Sequence, residues 1–235
     1  IFELSNIYQM EINHIKQVHF IAIGGSVMHN LALALQKRNI KVTGSDDEIY
    51  EPAAGKLKSA GLNPSIGWDV NLIKQDLDAV ILGMHAKDDN PELKKAQELG
   101  LPIFSFPEFV RELSANKQRV VVGGSHGKST ITAMIMHVLK SAGKSFDYLV
   151  GAELEDFELT VQISDAPIII IEGDEYLASK LDPQPKFLKY DHHIGVISGI
   201  KWDHKNVFST FEEYTKQFDL FADKTPKAGS LIYCE

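Results

Sequence analysis

Lys128, Ser129 and Thr130 follow directly on Gly123-Gly124-Ser125-His126-Gly127, and the β-branched run Val120-Val121-Val122 precedes them. Those residue types in that order suit the binding of a phosphate. Glycines lack the Cβ atoms that would hold an anion away from the backbone. Lys128 can reach terminal phosphates, and Ser129 can offer its hydroxyl to Mg²⁺. The strict phosphate-loop pattern, G-x-x-x-x-G-K-[ST], is missed by one residue, because Val122 stands where its first glycine would be. The plain alternative is a glycine-rich surface turn. A second candidate group is Glu172-Gly173-Asp174-Glu175, at the end of the apolar run Ile168 to Ile171. A carboxylate at the tip of a buried strand, beside a phosphate loop, is placed to share a Mg²⁺, and Glu172 comes first. The bland reading is that these acids only end the strand. His204, in Trp202-Asp203-His204, is either a ligand or an ordinary loop residue.

These side chains need elements to position them. The valine run reads as a strand. Ile131, Met134, Ile135, Val138 and Leu139 recur at helical spacing and are expected to form the inner face of a following helix. A turn between the two leaves backbone N–H groups unpaired at the positive end of the helix dipole, which is an anion site. An earlier unit of the same kind opens the chain: strand Val18 to Ile23, turn Gly24-Gly25-Ser26, a helix carrying Val27, Leu31, Ala34 and Leu35, and strand Lys41 to Asp46. This βαβ shape binds nucleotides at the carboxyl ends of its strands, but G-x-G-x-x-G is absent, which leaves a nicotinamide site open and not favoured. Asp46 is a candidate for a ribose hydroxyl or merely a strand end.

Further strands are expected at 79–82, 102–104, 146–150, 157–162, 166–171 and 194–197. Helices are expected after Asn90-Pro91, at 107–113, and at 210–221 with Phe211, Tyr214, Phe218 and Phe221 inward. Ser114 to Lys117 is short and polar, a plausible junction. The expectation is an α/β chain with three parts: an extension at 1–16, a Rossmann-like domain at 17–116, and a phosphate-loop α/β domain at 117–235 that breaks off one strand after its last helix, as a truncated domain would.

Acids outnumber Lys and Arg by 32 to 24 over 235 residues, a formal charge of −8, which argues against a nucleic-acid partner. No apolar run approaches the ~20 residues that span a bilayer, so no membrane partner is expected. Cys234 is the single cysteine and cannot pair within the chain, which points to a reducing, cytoplasmic compartment. No leader is visible at Ile1, and Met10 is a candidate natural start. The sequence says nothing of the oligomeric state.

With these residues in view the chain resembles the Mur ligase family of ATP-dependent peptidoglycan ligases. The run G-G-S-H-G-K-S at Gly123 to Ser129 is similar to that family's shorter phosphate loop, G-T-x-G-K-[ST]. H-F-I-A-I-G-G-S-V-M, then V-T-G-S-D, then D-N-P-E at Asp89 to Glu92, resemble its UDP-binding first domain. I-E-G-D-E-Y at Ile171, D-P-Q-P-K-F-L-K-Y at Asp182 and W-D-H-K-N-V-F at Trp202 resemble the branch that attaches the peptide L-Ala-γ-D-Glu-meso-diaminopimelate to UDP-N-acetylmuramate. The branch that attaches L-alanine is the alternative, and a non-catalytic UDP-sugar- or nucleotide-binding homologue is another.

The resemblance implies ATP and Mg²⁺ as cofactors and UDP-N-acetylmuramate plus an amino acid or peptide as partners. It implies Gly123 to Thr130 (Gly123, Gly124, Ser125, His126, Gly127, Lys128, Ser129, Thr130) around the nucleotide. Ser129 and Glu172 would hold one Mg²⁺ and His204 a second, with Lys128, Glu172 and His204 catalytic. Gly24, Gly25, Ser26, Ser45, Asp46, Gly83 and His85 would line the UDP-sugar site. The stretch Ser198-Gly199-Ile200-Lys201 departs from the family's asparagine and glutamate before the D-H pair, and a third, C-terminal domain is missing from the chain.

Overall fold

The computed structural model describes residues 15–179 and 181–234; positions 1–14 of the expected extension, including Met10, lie outside them. Two parallel sheets lie one after the other along the chain. The first contains β1 (Gln17–Ile21), β2 (Lys41–Asp46), β3 (Ser65–Ile66), β4 (Ala79–Leu82) and β5 (Ile103–Ser105), in the order β3-β2-β1-β4-β5 and all parallel. Helices α1 (Ser26–Lys37), α2 (Ala53–Ser59) and α3 (Pro91–Glu98) lie between these strands along the chain, and α4 (Phe106–Leu113) follows β5. The order reverses at β1, so the crevice where a ligand sits in such sheets opens at the carboxyl ends of β1 and β4.

The second sheet contains β6 (Gln118–Gly123), β7 (Asp147–Leu149), β8 (Val161–Gln162), β9 (Ile168–Glu172), β10 (Ile194–Ile197) and β11 (Ser230–Tyr233). Its order is β11-β10-β6-β9-β7-β8, with β8 alone antiparallel. Helix α5 (Lys128–Ser141) follows β6, and α6 (Phe211–Asp223) precedes β11. Ile169, Ile170 and Ile171 are fully buried, as a central strand covered on both faces requires. Register then fixes the working edge: Val122 pairs with Glu172 and Gly123 with Ile197, so the tips of β9, β6 and β10 end side by side.

Local signals set many boundaries. The Asn90 side chain accepts from the N–H groups of Glu92 and Leu93, capping α3 with Pro91 in its first turn. Three expectations are corrected. The 157–162 strand shrinks to Val161–Gln162. Phe211 is 47% exposed, while Tyr214, Phe218 and Phe221 are buried as expected. Met134 and Val138 are each 63% exposed; α5 keeps the expected Ile135 and Leu139 inward and adds Thr132 and Met136 to them. Apolar residues sit all around that helix, so more than one 3.6-residue stripe could be drawn on it.

Helix α1 is buried along Met28 to Leu35 because the second unit covers the face that the first sheet does not. Asn30 Oδ1 accepts from Thr160 N–H at 3.2 Å, and Lys37–Glu158 (2.7 Å) and Arg38–Asp165 (2.8 Å) add ion pairs across the same seam.

One buried histidine makes the fold sensitive to acid. The His192 ring stacks on Phe221 at 4.0 Å, its Nε2 lies 2.8 Å from Thr225 Oγ1, and its Nδ1 has no hydrogen-bond partner among the described residues. Burial, only partly opposed by the charge of Asp191, lowers its pKa to about 4. The unfolded chain therefore takes up the proton first. The stability this group contributes is complete above about pH 6.5 and is lost as pH falls through the folded value. Denaturant titrations are expected to lose about 2–3 kcal/mol from this source between pH 7 and 4, and His192→Gln to flatten that limb. An unchanged acid limb in the variant would show that His192 is not its source.

Candidate functional site

Strand β6 delivers the chain into the loop Gly124 to Gly127, and α5 begins at Lys128. Gly124 has φ +124° and Gly127 has φ +81°, conformations that side-chain-bearing residues rarely adopt. The loop is braced from β10: Ser198 N–H donates to Gly123 O, Ser125 N–H donates to Gly199 O at 2.9 Å, and Ser198 Oγ donates to His126 O at 2.6 Å. Gly124 N–H donates to Glu175 Oε1 at 3.0 Å. Beyond Ser125, the next loop amide with an acceptor among the described residues is that of Ile131, on Gly127 O. The N–H groups open to an anion are thus those from His126 to Thr130, at the positive end of α5.

Lys128 Nζ donates to Gly124 O at 2.7 Å and to Glu175 at 2.9 Å (Oε2) and 3.2 Å (Oε1). Ser129 Oγ donates to Glu172 Oε1 at 2.8 Å, and Glu172 Oε2 accepts from Gly151 N–H at 2.7 Å. Glu172 and Lys128 therefore share one side of one sheet edge. His204, with φ +52°, places Nε2 3.9 Å from Asp174 Oδ1 and 3.9 Å from Glu175 Oε2, and its ring meets Tyr176 edge-on at 5.2 Å. One donor atom from each of Asp174, Glu175 and His204 lies within 4.8 Å of the others. The carboxylate and hydroxyl oxygens at Ser129–Glu172 are a hard donor set that fits Mg²⁺, whereas the carboxylates beside the His204 imidazole are already paired, Asp174 with Lys186 and Glu175 with Lys128.

Electrostatics separates these acids. Burial pushes the Glu175 carboxyl up, and Lys128 offsets that only in part. Burial also works against charge on Asp174, but Lys186 at 2.6 Å prevails and holds it below the usual range.

Several expected ligands have other work. The Ser125 hydroxyl is buried, 3.0 Å from Tyr214 OH, and accepts from Lys201 N–H at 2.7 Å, so it does not face an incoming phosphate. Gly123 lets Phe187 pack close. His126 and Thr130 are exposed at the loop mouth. At the other edge Ser45 is wholly buried and donates to Glu92 Oε1 at 2.6 Å; its hydroxyl is not offered to a ligand. Gly83 is a packing residue, because a Cβ there would stand 2.8 Å from Ala22 O. Gly24, Gly25, Ser26, Asp46 and His85 do come together, lining a cleft of about 730 Å³ whose far wall includes Gly151, Glu153 and Thr160 of the second unit. Asp46 braces the turn, accepting from Gly24 N–H at 2.7 Å, and burial raises its pKa.

Sequence reasoning passed over Glu175. The only signal was its place in the E-G-D-E run, and strand spacing cannot tell which acid of such a run turns back toward the lysine. Within the departing stretch Ser198 to Lys201, the Lys201 side chain is exposed and its backbone N–H donates to Ser125 Oγ.

Two family models match the chain: "Mur ligase family, catalytic domain" over 17–118 and "Mur ligase middle domain" over 122–235. The UDP-N-acetylmuramate--L-alanine ligase of Carboxydothermus hydrogenoformans is 33% identical over 98% of this chain and 48% of its own length. The UDP-N-acetylmuramate--L-alanyl-gamma-D-glutamyl-meso-2,6-diaminoheptandioate ligase of Haemophilus influenzae is 29% identical over 92% of this chain and 48% of its own. The solved UDP-N-acetylmuramate:L-alanyl-gamma-D-glutamyl-meso-diaminopimelate ligase from Neisseria meningitides superposes with a TM-score of 0.83 at 27% identity, covering 93% of this chain and 71% of that one. The chain spans about half the length of the curated relatives it matches.

Proposed function

We infer the function from one premise: this chain belongs to the Mur ligase family. The whole protein is an ATP-dependent ligase that joins L-Ala-γ-D-Glu-meso-diaminopimelate to the lactyl carboxylate of UDP-N-acetylmuramate. Residues 17–116 hold the UDP-sugar and 117–235 the ATP. The observation that carries this reading is the loop mouth, where the amides from His126 to Thr130, the Lys128 ammonium and the Ser129–Glu172 pair converge.

The carboxylate attacks the γ-phosphorus and ADP leaves, giving an acyl phosphate. The peptide amine then attacks the acyl carbon, phosphate leaves, and the amine gives up a proton. Bringing a carboxylate to a triphosphate opposes like charges, so the protein's task is neutralisation and alignment. Lys128 holds the β/γ-phosphates, and the α5 amides hold the oxygens beside it. Ser129, Glu172 and His204 are the residues that would hold Mg²⁺, which when bound supplies further positive charge to the phosphates. Gly24, Gly25 and Ser26 take the UDP diphosphate at the start of α1, and His85 faces it across the cleft. On this reading the reaction runs in the cytoplasm, where its ATP and UDP-sugar are available.

Support for the peptide over L-alanine comes from the resemblance carried by the I-E-G-D-E-Y run that ends in Tyr176. The Tyr176 hydroxyl accepts from Asn206 Nδ2 at 3.0 Å, so it is held at the mouth beside His204. Phosphate release is the test, in the natural full-length protein with ATP, Mg²⁺ and UDP-N-acetylmuramate. Release is expected with the tripeptide and weak with L-alanine; the reverse preference selects the L-alanine branch. Release that ignores the sugar nucleotide defeats the ligase reading, and binding of UDP-sugar without any turnover selects a non-catalytic homologue.

A further inference from the structure

We propose that Glu175 is the positioning residue for Lys128: its buried carboxylate clamps the ammonium and the Gly124 amide together, and so aims the lysine at the phosphates. The proposal rests on the nucleotide reading of the loop and assigns a role to a residue that reading leaves idle. Glu175 is 0% exposed and leaves β9 three residues after Glu172. Its Oε1 accepts from Gly124 N–H at 3.0 Å, and its Oε2 accepts from Lys128 Nζ at 2.9 Å. Lys128 spends a second N–H on Gly124 O at 2.7 Å. An ammonium has three donors. The longer 3.2 Å contact to Glu175 Oε1 shares the N–H that meets Oε2, so two donors are fixed by Glu175 and by the loop's own carbonyl, the third direction is set, and a long flexible side chain becomes a fixed donor.

Only an ionised carboxylate can do this. Both oxygens accept, whereas a glutamine would present an NH₂ either to the Gly124 N–H or to the ammonium, donor against donor. The geometry also separates Glu175 from Glu172, whose oxygens are taken by Ser129 and Gly151. Misplacing a donor by about 1 Å in a phosphoryl transfer costs about 10²-fold in rate, because the charge it meets develops on the transferring group.

The test is Glu175→Gln in the natural full-length protein, with two readouts. The first is steady-state phosphate release. kcat is expected to fall about 10–100-fold with KM for ATP changed less than about threefold, in protein whose unfolding midpoint shows it still folded. A purely structural role would raise KM or lower the folded fraction and leave kcat per folded molecule alone. The second is acetylation of Lys128 by acetic anhydride, followed by mass spectrometry without nucleotide. Freed from its carboxylate, the amine is expected to react several-fold faster in the variant. Unchanged kcat together with unchanged Lys128 reactivity overturns the proposal. A wild type that neither binds nor turns over ATP, with Lys128 reactivity still rising in the variant, overturns the nucleotide reading and leaves the clamp standing.

Discussion

Replacing Lys128 with methionine is expected to cut phosphate release by the full-length protein about a thousandfold, with binding of UDP-sugar unchanged. The lysine is the one side-chain cation at the loop mouth within hydrogen-bond reach of Glu175 and Gly124 among the described residues. Methionine keeps the unbranched apolar stem and removes the ammonium, with its charge and its N–H donors. The cleft lined by Gly24, Asp46 and His85 belongs to the other sheet edge, so its ligand is not disturbed. The substitution also leaves the Glu175 carboxylate buried without its counter-charge, which costs about 3 kcal/mol if it stays ionised.

Burial already pushes Glu175 up, and losing Lys128 pushes it further, so the folded variant binds a proton that the unfolded chain releases. For a carboxyl raised on folding, stability is greatest below the unfolded pKa and is lost as pH rises through the folded one. The gap in unfolding midpoint between variant and wild type should therefore be wider at pH 8 than at pH 5. Turnover within a few-fold of wild type would remove Lys128 from the phosphate site. A gap independent of pH would mean that Glu175 does not sit as described.

The second large effect is expected at Gly124. An alanine Cβ there would stand 2.1 Å from Ser198 Oγ, 2.9 Å from Ser198 N and 3.0 Å from Gly199 O, on a backbone at φ +124°. The serine hydroxyl could rotate away, but the two backbone atoms brace the loop and cannot. Gly124→Ala should therefore cost about 3–5 kcal/mol in strain and overpacking, lower the unfolding midpoint by about 10 °C, and abolish nucleotide binding. Gly127 makes the control. It too has positive φ, at +81°, but a Cβ would meet nothing within 4 Å among the described residues, so Gly127→Ala should cost only the backbone penalty, about 1–2 kcal/mol. Equal losses at the two glycines would mean that Ser198 and Gly199 do not brace the loop.

Much of this arrangement was legible one residue type at a time. Gly-Gly-Ser-His-Gly-Lys-Ser behind three valines says strand, phosphate turn and helix, because each residue satisfies a local steric or hydrogen-bonding demand. Asn90-Pro91 says helix start for the same kind of reason. Four isoleucines say buried strand, and the acids after them must lie at its tip. Where local demand was silent, the reading drifted. Helix α5 has apolar side chains on several faces, and only packing against β7 and β9 chose Met136 over Met134 and Val138 as the companion of Ile135 and Leu139. Ser45 looked available for a ligand until Glu92, 47 residues later, claimed its hydroxyl.

The sequence by itself determined that two nucleotide-type α/β units follow one another, that one carries a lysine-bearing phosphate loop, and that a carboxylate ends a later, apolar strand. Those facts live within a few residues of one another, where backbone sterics and capping leave little freedom. Only the tertiary structure decided which acid meets which partner: Glu172 takes Ser129, Glu175 takes Lys128, and Asp174 is drawn off by Lys186. Those pairings join side chains 12 to 47 residues apart. They depend on strand register and on which side chain burial leaves facing which charge, and a short-range pattern carries no record of either.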